Sequence, residues 1–390
     1  MTVIGLHTHD RLTDAEVFAA HRGGQLSVVG TLPIQDAHSL SVAYTPGVAR
    51  VSRAIAQDPA LGRDYTWASR LVAVVTNGTA VLGLGNVGPA AALPVMEGKA
   101  ALFQRFAGLN ALPVVLDAPH IDDIVEVLLR LRPSFGAVCL EDIAAPDCFE
   151  LEERLKEVLD CPVMHDDQHG TAVTVLAGLL GARTVLDRPL EGSRVTVLGA
   201  GAAGIATAHL LLEAGVRDVT VLDSLGILFT GRSGLTQAKA ALAARTNPRG
   251  LRGGPAEALR DADVLIGLSS STVPESLIAS MGPRATVFAL SNPDPEIQPE
   301  VAARHVAVVG TGGSDHPNQI INTLASPGIF RGALDAGARF ITTGMKLAAA
   351  RAIADVAKDK LTVDYVVPHS LDPRVTPAVT EAVARAVSDT

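Results

Sequence analysis

Two pairs of adjacent acids are the residues of this sequence whose types and spacing could do chemistry. Glu141 and Asp142 end the predicted strand 135–142, and Asp166 and Asp167 follow a short apolar stretch. Neighbours in a regular strand point to opposite faces, so both acids of a pair converge only where strand gives way to loop. Carboxylates gathered there repel one another unless they are solvated or share a cation. The pattern leaves two interpretations open, a Mg²⁺ or Mn²⁺ site with oxygen ligands and solvated loop acids.

Other polar residues each have a plain structural interpretation beside the chemical one. His165 and His169 flank the second acid pair, but no third nitrogen or sulfur ligand is spaced nearby, so zinc is disfavoured and we interpret both as capping or packing groups. Lys99 lies in the predicted helix 89–105 and is either a snorkelling side chain or, in a dehydrated cleft, a base. Tyr44 precedes a Thr-Pro-Gly turn and is either a packed ring or an acid. Asn292 ends the predicted strand 285–293 and is either a turn former or a site residue.

A glycine-rich turn indicates a dinucleotide site. It follows the predicted strand 194–198, opens a helix, and reads Gly199, Ala200, Gly201, Ala202, Ala203, Gly204. Asp223 ends the next strand, where an acid accepts hydrogen bonds from the adenosine ribose hydroxyls. No cation follows Asp223 directly, which favours NAD over NADP. A second G-x-G-x-x-G match over 83–88 is followed by Pro89, and its next strand-end acid is too distant, so we interpret it as a structural turn.

Alternating strands and helices must position these residues. A first series has predicted strands at 71–75, 80–85, 113–117 and 135–142, and a second at 194–198, 219–223, 263–269, 285–293 and 306–312. We therefore predict an α/β fold with an N-terminal α/β substrate domain, residues 1–162, and a Rossmann-type domain with a doubly wound parallel sheet, residues 163–390. The last helices could pack back on the first domain.

Composition excludes several classes of protein. The chain has 390 residues, enough for two or three domains at roughly 100–200 residues each. Its net charge of −9 and 3% aromatic content disfavour nucleic acid and anionic membranes as partners. No apolar run reaches the length of a membrane span, about 18 residues. Three cysteines without a C-x-x-C pair indicate reduced thiols and a cytoplasmic protein.

Several ordered segments together resemble the malic enzyme family of the short bacterial kind, over about residues 25–390. They are SVAYTPGVA (41–49), GTAVLGLGNVGPAAALPVMEGKA (78–100), PSFGAVCLEDIAAPDCFELEERL (133–155), PVMHDDQHGTA (162–172), VTVLGAGAAGIA (195–206), FALSNPDPEI (288–297), PNQIIN (317–322) and SPGIFRGALD (326–335). The resemblance implies oxidative decarboxylation of L-malate to pyruvate and CO₂ with reduction of NAD or NADP. It also implies a Mg²⁺ or Mn²⁺ ion and a homodimer.

The resemblance further implies a role for individual residues. Lys99 matches the general base, Tyr44 the general acid, and Asp166 the acid that bonds near the lysine. The metal ligands correspond to Glu141, Asp142 and Asp167, and the amides that contact substrate or nicotinamide correspond to Asn292 and Asn322.

The sequence departs from the family pattern at Asn77, Asn110, Gly313 and Ile321, which stand where the family usually has Asp, Asp, Arg and Asn. These departures put affinity, specificity and cofactor preference in doubt. Two alternatives therefore stay open, an oxaloacetate decarboxylase or other 2-hydroxy-acid dehydrogenase, and a non-catalytic NAD-sensing regulator.

Overall fold

Two sheets organise the chain in the computed structural model, which describes residues 13–81, 83–292, 294–313 and 316–388. Their strands are β1 (Leu71–Thr76), β2 (Asn110–Val115), β3 (Ala137–Leu140), β4 (Val163–His165), β5 (Arg194–Leu198), β6 (Asp218–Asp223), β7 (Gly226–Ile227), β8 (Val264–Gly267), β9 (Thr286–Ala289) and β10 (Val308–Thr311). The first sheet has the order β2-β1-β3-β4 and the second the order β10-β9-β8-β5-β6-β7. Within these sheets β7 alone runs antiparallel to its neighbour, and the mixed α/β fold with parallel sheets agrees with the prediction.

Helices cover the strands and join them. They are α1 (Asp14–His21), α2 (Ala37–Ala43), α3 (Val48–Gln57), α4 (Gly62–Tyr65), α5 (Pro89–Leu102), α6 (Ile121–Leu131), α7 (Asp147–Val158), α8 (Asp166–Leu186), α9 (Ala202–Glu213), α10 (Gln237–Ala243), α11 (Pro255–Leu259), α12 (Glu275–Ile278), α13 (Pro299–Ala302), α14 (Ser326–Asp335), α15 (Thr343–Ala357) and α16 (Val375–Ser388). Because both faces of a parallel sheet are covered, its inner strands are continuously apolar, and every residue of β1 but Thr76 is aliphatic and every one is buried.

The second sheet is doubly wound about β5. Strand β5 pairs with β6 on one side and with β8 on the other, each in parallel register. The strand order therefore reverses between β5 and β8. In open α/β sheets, ligands bind at such a point, outside the carboxyl ends of the strands.

Helix α8 is the central helix of the fold. It begins directly after β4, so Asp166 and Asp167 form its first turn instead of the predicted loop. Within the described residues, α8 alone is long and apolar enough to cross a membrane, but 72% of the relevant stretch is buried inside the protein. Its backbone lies so close to its neighbours that a Cβ at Gly181 would lie 1.9 Å from the Val366 carbonyl oxygen. We interpret it as a core helix.

The carboxyl-terminal helices contact the end of α5. The Phe330 ring of α14 packs edge-on against Phe103, with ring centroids 5.4 Å apart. The Arg331 guanidinium donates a 2.9 Å hydrogen bond to the Ala107 carbonyl oxygen. Strand β4 belongs to the first sheet, and the predicted division of the chain after residue 162 stays a prediction.

The predicted strand 80–85 is wrong. Its described residues contain only an isolated bridge, in which the Val81 amide donates 2.9 Å to the Gly85 carbonyl oxygen. Gly78, Gly85 and Gly88 all have positive φ, so the chain turns repeatedly and cannot extend beside β1. This turn leads into α5 and so positions Lys99.

Candidate active site

Lys99 lies at the centre of a largely buried polar cluster. Its ammonium donates to an Asp166 carboxylate oxygen, lies 3.2 Å from Glu141 Oε1, and donates at 3.4 Å to Asn322 Oδ1. These residues come from four places in the chain: helix α5, the end of β3, the start of α8 and the turn before α14. The fold thus brings together residues that are up to 223 positions apart.

Burial and neighbouring charge act on Lys99 in opposite directions. Burial disfavours its charged form, but Asp166 and Glu141 outweigh this effect and raise the pKa of the Lys99 ammonium well above its usual range. Burial likewise raises the pKa of Glu141 well above its usual range, although Lys99 opposes this shift. Both shifts therefore favour the protonated form of the group concerned.

Asp166 is held on both carboxylate oxygens. One accepts from Lys99 and the other accepts from the Ser326 hydroxyl. Asp166 and Ser326 are completely buried, and a Cβ at Gly170 would lie 1.9 Å from Asp166 Oδ1. The carboxylate therefore has a single orientation, toward Lys99.

Asp142 and Asp167 form a second contact at the same sheet edge. The Asp142 amide donates 2.8 Å to Asp167 Oδ2, and Asp142 itself has a φ of 54°. The left-handed conformation of Asp142 ends the regular alternation of side chains after β3. Glu141 and Asp142 can therefore lie at the same edge, as predicted for a strand end. The four acids that were predicted to converge all lie at the carboxyl ends of β3 and β4.

The donor set suits a hard divalent cation. Carboxylate oxygens are the ligands that Mg²⁺ and Mn²⁺ prefer, and four carboxylates meet at this edge. Among the described residues, the group with ligand atoms within 4.8 Å of one another combines Glu141 and Asp166 with Cys139, whereas the predicted set was Glu141, Asp142 and Asp167. Lys99 explains the difference, because it draws Glu141 and Asp166 toward its ammonium. Burial raises the pKa of the Cys139 thiol, which makes it a poor ligand.

A cavity of about 430 Å³ contains the glycine turn. Its lining includes Gly199, Gly201 and Asp223 from the second sheet and Pro146 and Phe149 from the segment that follows Glu141 and Asp142. A Cβ at Gly201 would meet open space, so a ligand can approach this backbone closely. Helix α9 begins at Ala202, and its first amides, including that of Ala203, are available for a pyrophosphate.

Tight packing explains two of the glycines in the turn. Gly199 has a φ of 117°, and a Cβ there would lie 2.3 Å from the Leu268 carbonyl oxygen. A Cβ at Gly204 would lie 1.8 Å from the Gly199 carbonyl oxygen. Only glycine fits both positions without a shift of the backbone.

Asp223 differs from its predicted surroundings. The Arg232 guanidinium binds it at 2.5 Å and the Lys239 ammonium at 2.8 Å. The prediction that no cation lies beside Asp223 is therefore wrong, because both cations arrive from later in the chain. Burial would raise the pKa of Asp223, but hydrogen bonds from Arg232 and Lys239 lower it from 3.8 to about 2. The carboxylate is ionised, and the two cations exceed its charge by one.

Three predicted site residues lie at different distances from the cluster. Asn322 is in it, through its contact with Lys99. Asn292 follows β9 and donates at 3.4 Å to the Gly312 carbonyl oxygen, at the same edge as the glycine turn. Tyr44 ends α2 with 67% of its surface exposed, and within the described part of the chain its hydroxyl makes no hydrogen bond.

Other groups that make contacts near the two sites could not be recognised from the sequence. Ser326 stands out in the sequence only as the first residue of the segment 326–335. Nothing in the sequence around Arg232 or Lys239 links them to Asp223. His169, assigned to capping or packing, binds Glu152 Oε2 at 2.9 Å, and Glu152 also accepts from the His165 amide. Glu152 lies on the buried face of α7. An acid at a position that helical spacing assigns to the buried face was the signal in the sequence for its contact with His169.

Comparison with known proteins covers almost the whole chain. Residues 24–156 match the family "Malic enzyme, N-terminal domain", and residues 168–389 match "Malic enzyme, NAD binding domain". The chain is 49% identical over 371 residues to the bifunctional malic/malolactic enzyme of Bacillus subtilis, covering 94% of this chain and 90% of that protein. It is 47% identical to the NAD-dependent malic enzyme of Geobacillus stearothermophilus, covering 95% and 78%.

Relatives with the other cofactor and solved structures are similar too. The NADP-dependent malic enzyme of Halomonas elongata is 44% identical, covering 94% of this chain and 90% of that protein. The crystal structure of the NAD-dependent malic enzyme of Thermotoga maritima has a TM-score of 0.90 and 42% identity, covering 96% of this chain and 99% of that chain. Both the sequence and the three-dimensional fold are thus shared with these proteins.

Proposed function

The chain belongs to the malic enzyme family, and we propose that it carries out the NAD(P)-dependent oxidative decarboxylation of malate at the Lys99 cluster. The observation that supports this site is the meeting of Lys99, Glu141, Asp166 and Asn322 in one cluster. The segment that follows Glu141 and Asp142 in the chain lines the cavity of the glycine turn through Pro146. A nicotinamide cofactor and a four-carbon diacid would lie next to each other there. The products are pyruvate, CO₂ and the reduced cofactor.

In this proposal Lys99 removes the proton of the C2 hydroxyl while the C2 hydride passes to the nicotinamide. Lys99 must first give up a proton, and Asp166, which it contacts directly, is placed to receive it. The oxidised acid then loses its C4 carboxylate as CO₂, and the electron pair of that bond is left as an enolate. A general acid protonates C3 to give pyruvate. Groups in such roles typically contribute about 10²–10⁴-fold each.

A Mg²⁺ or Mn²⁺ ion would be held by Glu141, Asp142 and Asp167 in this proposal. When bound, such an ion acts as a Lewis acid that polarises the C2 oxygen and stabilises negative charge. The chain supplies ionisable oxygen ligands at one sheet edge, and Asp166 is reserved for Lys99 and Ser326. This division of the four carboxylates is the reason to expect one ion.

We propose NAD as the preferred cofactor, with a narrow margin over NADP. The ionised Asp223 carboxylate lines the cavity, where it can accept hydrogen bonds from ribose hydroxyls. Arg232 and Lys239 bring the local charge from −1 to +1, which weakens the repulsion of a 2′-phosphate. Relatives of both cofactor types support an intermediate preference.

A homodimer is the proposed assembly, consistent with the exposed N-terminal segment. No described residue between 13 and 70 is buried. The segment exposes large apolar or aromatic side chains, among them Phe18, Val28, Val29 and Tyr44. A second copy of the chain would cover these side chains and bring Tyr44, the proposed general acid, to a Lys99 cluster. We also propose a cytoplasmic location. It is consistent with the three cysteines, which are all free and buried thiols.

The assembly is tested by mixing two inactive variants, Tyr44→Phe and Lys99→Met. If each active site takes these two residues from different subunits, mixed dimers regain activity in one of their two sites. If both residues act within one subunit, mixing restores nothing. A monomer in analytical ultracentrifugation would contradict the proposed dimer in either case.

The reaction is tested by following formation of reduced cofactor from L-malate with Mn²⁺ and either NAD⁺ or NADP⁺. We expect equal amounts of pyruvate, CO₂ and reduced cofactor. Release of CO₂ without reduced cofactor would favour the oxaloacetate decarboxylase alternative. Binding of NADH by the folded protein without turnover of malate would favour the NAD-sensing alternative.

A further inference from the structure

A cavity of about 500 Å³ lies away from the Lys99 cluster, where α8 and α9 end beside the middle of α15. Leu176, Leu180 and Leu347 line its apolar side. Three arginines, Arg183, Arg188 and Arg351, line the rest together with exposed Asp187 and Glu191. The cavity shares none of these residues with the cavity of the glycine turn.

Arg183 is the unusual member of this lining. Only 5% of its surface is exposed, and its Nε and Nη1 atoms have no hydrogen-bond partner within the described residues. Burial lowers the pKa of the guanidinium, yet an arginine stays charged in proteins. A buried charge without a partner is strongly unfavourable, so the site calls for an anion.

Asp263 does not pair with Arg183. Asp263 attracts Arg183 from a distance, but its oxygens are already engaged, Oδ1 by Arg188 at 3.5 Å and Oδ2 by the Arg194 amide at 2.9 Å. Arg351 projects from α15 one turn after Leu347 and is exposed at the rim. Two further cations thus flank the unpaired guanidinium.

We propose that this cavity binds a small organic anion with several carboxylate or phosphate oxygens. Arg183 and Arg351 supply planar guanidinium donors for such oxygens, Arg188 adds positive charge beside Asp263, and the leucines accept the carbon skeleton. The volume lies in the range of small-molecule sites, above the size of a single inorganic ion. Arg183 is 17 residues after Asp166 on α8, so the two sites are about 25 Å apart along one rigid helix.

Calorimetric titration of the whole protein tests this site, with inorganic phosphate and the tricarboxylate citrate as separate probes. Titrations are made at matched ionic strength with saturating NADH present, so that the cavity of the glycine turn is occupied. We expect at least one probe to bind, and Arg183→Met to weaken it about tenfold to a hundredfold. The stronger probe identifies whether phosphate or carboxylate groups are preferred.

Two further variants keep the test decisive. Arg351→Ala at the exposed rim is expected to weaken binding several-fold and decides the question if Arg183→Met fails to fold. Arg385→Ala removes an exposed arginine that does not line the cavity and is expected to change nothing. Unchanged probe affinity in both Arg183→Met and Arg351→Ala, or no binding of either probe to the parent protein, would overturn the proposal.

Discussion

Replacing Asp223 with asparagine should shift the enzyme from NAD toward NADP. Asp223 lines the cavity of the glycine turn and is ionised, because Arg232 and Lys239 lower its pKa to about 2. The substitution removes one negative charge and leaves both cations in place. A 2′-phosphate would then meet Arg232 and Lys239 without a competing carboxylate.

The size of the shift follows from the contacts that change. Arg232 lies 2.5 Å and Lys239 2.8 Å from the carboxylate, so both can turn to a nearby phosphate. One hydrogen bond to a charged group contributes about 1.5–3 kcal/mol. Screening by solvent at the cavity mouth keeps the gain near the lower end. We expect the ratio of kcat/KM for NADP over NAD to rise about tenfold.

The assay compares kcat/KM for both cofactors with malate and Mn²⁺ held at saturation. Asp218→Asn is the matched control. Asp218 lies at the opposite end of the same strand and forms a 2.7 Å ion pair with Arg249. Lys239→Ala should move the ratio the other way. A change of the ratio below threefold in Asp223→Asn, or an equal change in the control, would refute the reasoning.

Three further predictions follow from the same geometry. Lys99→Met should lower kcat about 10²–10⁴-fold while the NADH affinity measured by fluorescence stays unchanged, and retained turnover would contradict its role. Gly204→Ala should weaken NADH binding at least tenfold, because its Cβ would lie 1.8 Å from the Gly199 carbonyl oxygen, and unchanged binding would show that the turn can relax. The Asp223 ion pairs should stabilise the fold by about 2 kcal/mol above pH 4, a contribution lost as pH falls through about 2. Urea unfolding of the parent and Asp223→Asn should therefore differ at pH 6 and converge near pH 2, and a constant difference would contradict this.

Much of the fold could be predicted because it follows from local patterns. Continuous apolar runs such as 71–75 indicated buried parallel strands, and the structure has β1 at Leu71–Thr76. The glycine turn was found because a strand, a helix and a strand-end acid surround it at fixed spacing. The four acids could be grouped because parallel strands share one carboxyl edge, which needs no knowledge of side-chain contacts.

What could not be predicted depends on contacts between distant parts of the chain. Ser326 meets Asp166 across 160 positions, and no spacing rule links them. The cations on Asp223 come from Arg232 and Lys239, which the local sequence after Asp223 does not show. The apolar residues of 80–85 suggested a strand, but glycines with positive φ turned that segment away from the sheet.

Direct binding of Mn²⁺, followed by electron paramagnetic resonance, tests most directly whether Glu141, Asp142 and Asp167 hold a divalent ion beside Lys99. We predict one Mn²⁺ per subunit and a loss of affinity of about tenfold or more in Asp142→Asn. Asp147→Asn, an exposed acid at the start of α7, should bind as the parent does. Parent-like Mn²⁺ affinity in Asp142→Asn would contradict the assignment of the metal site.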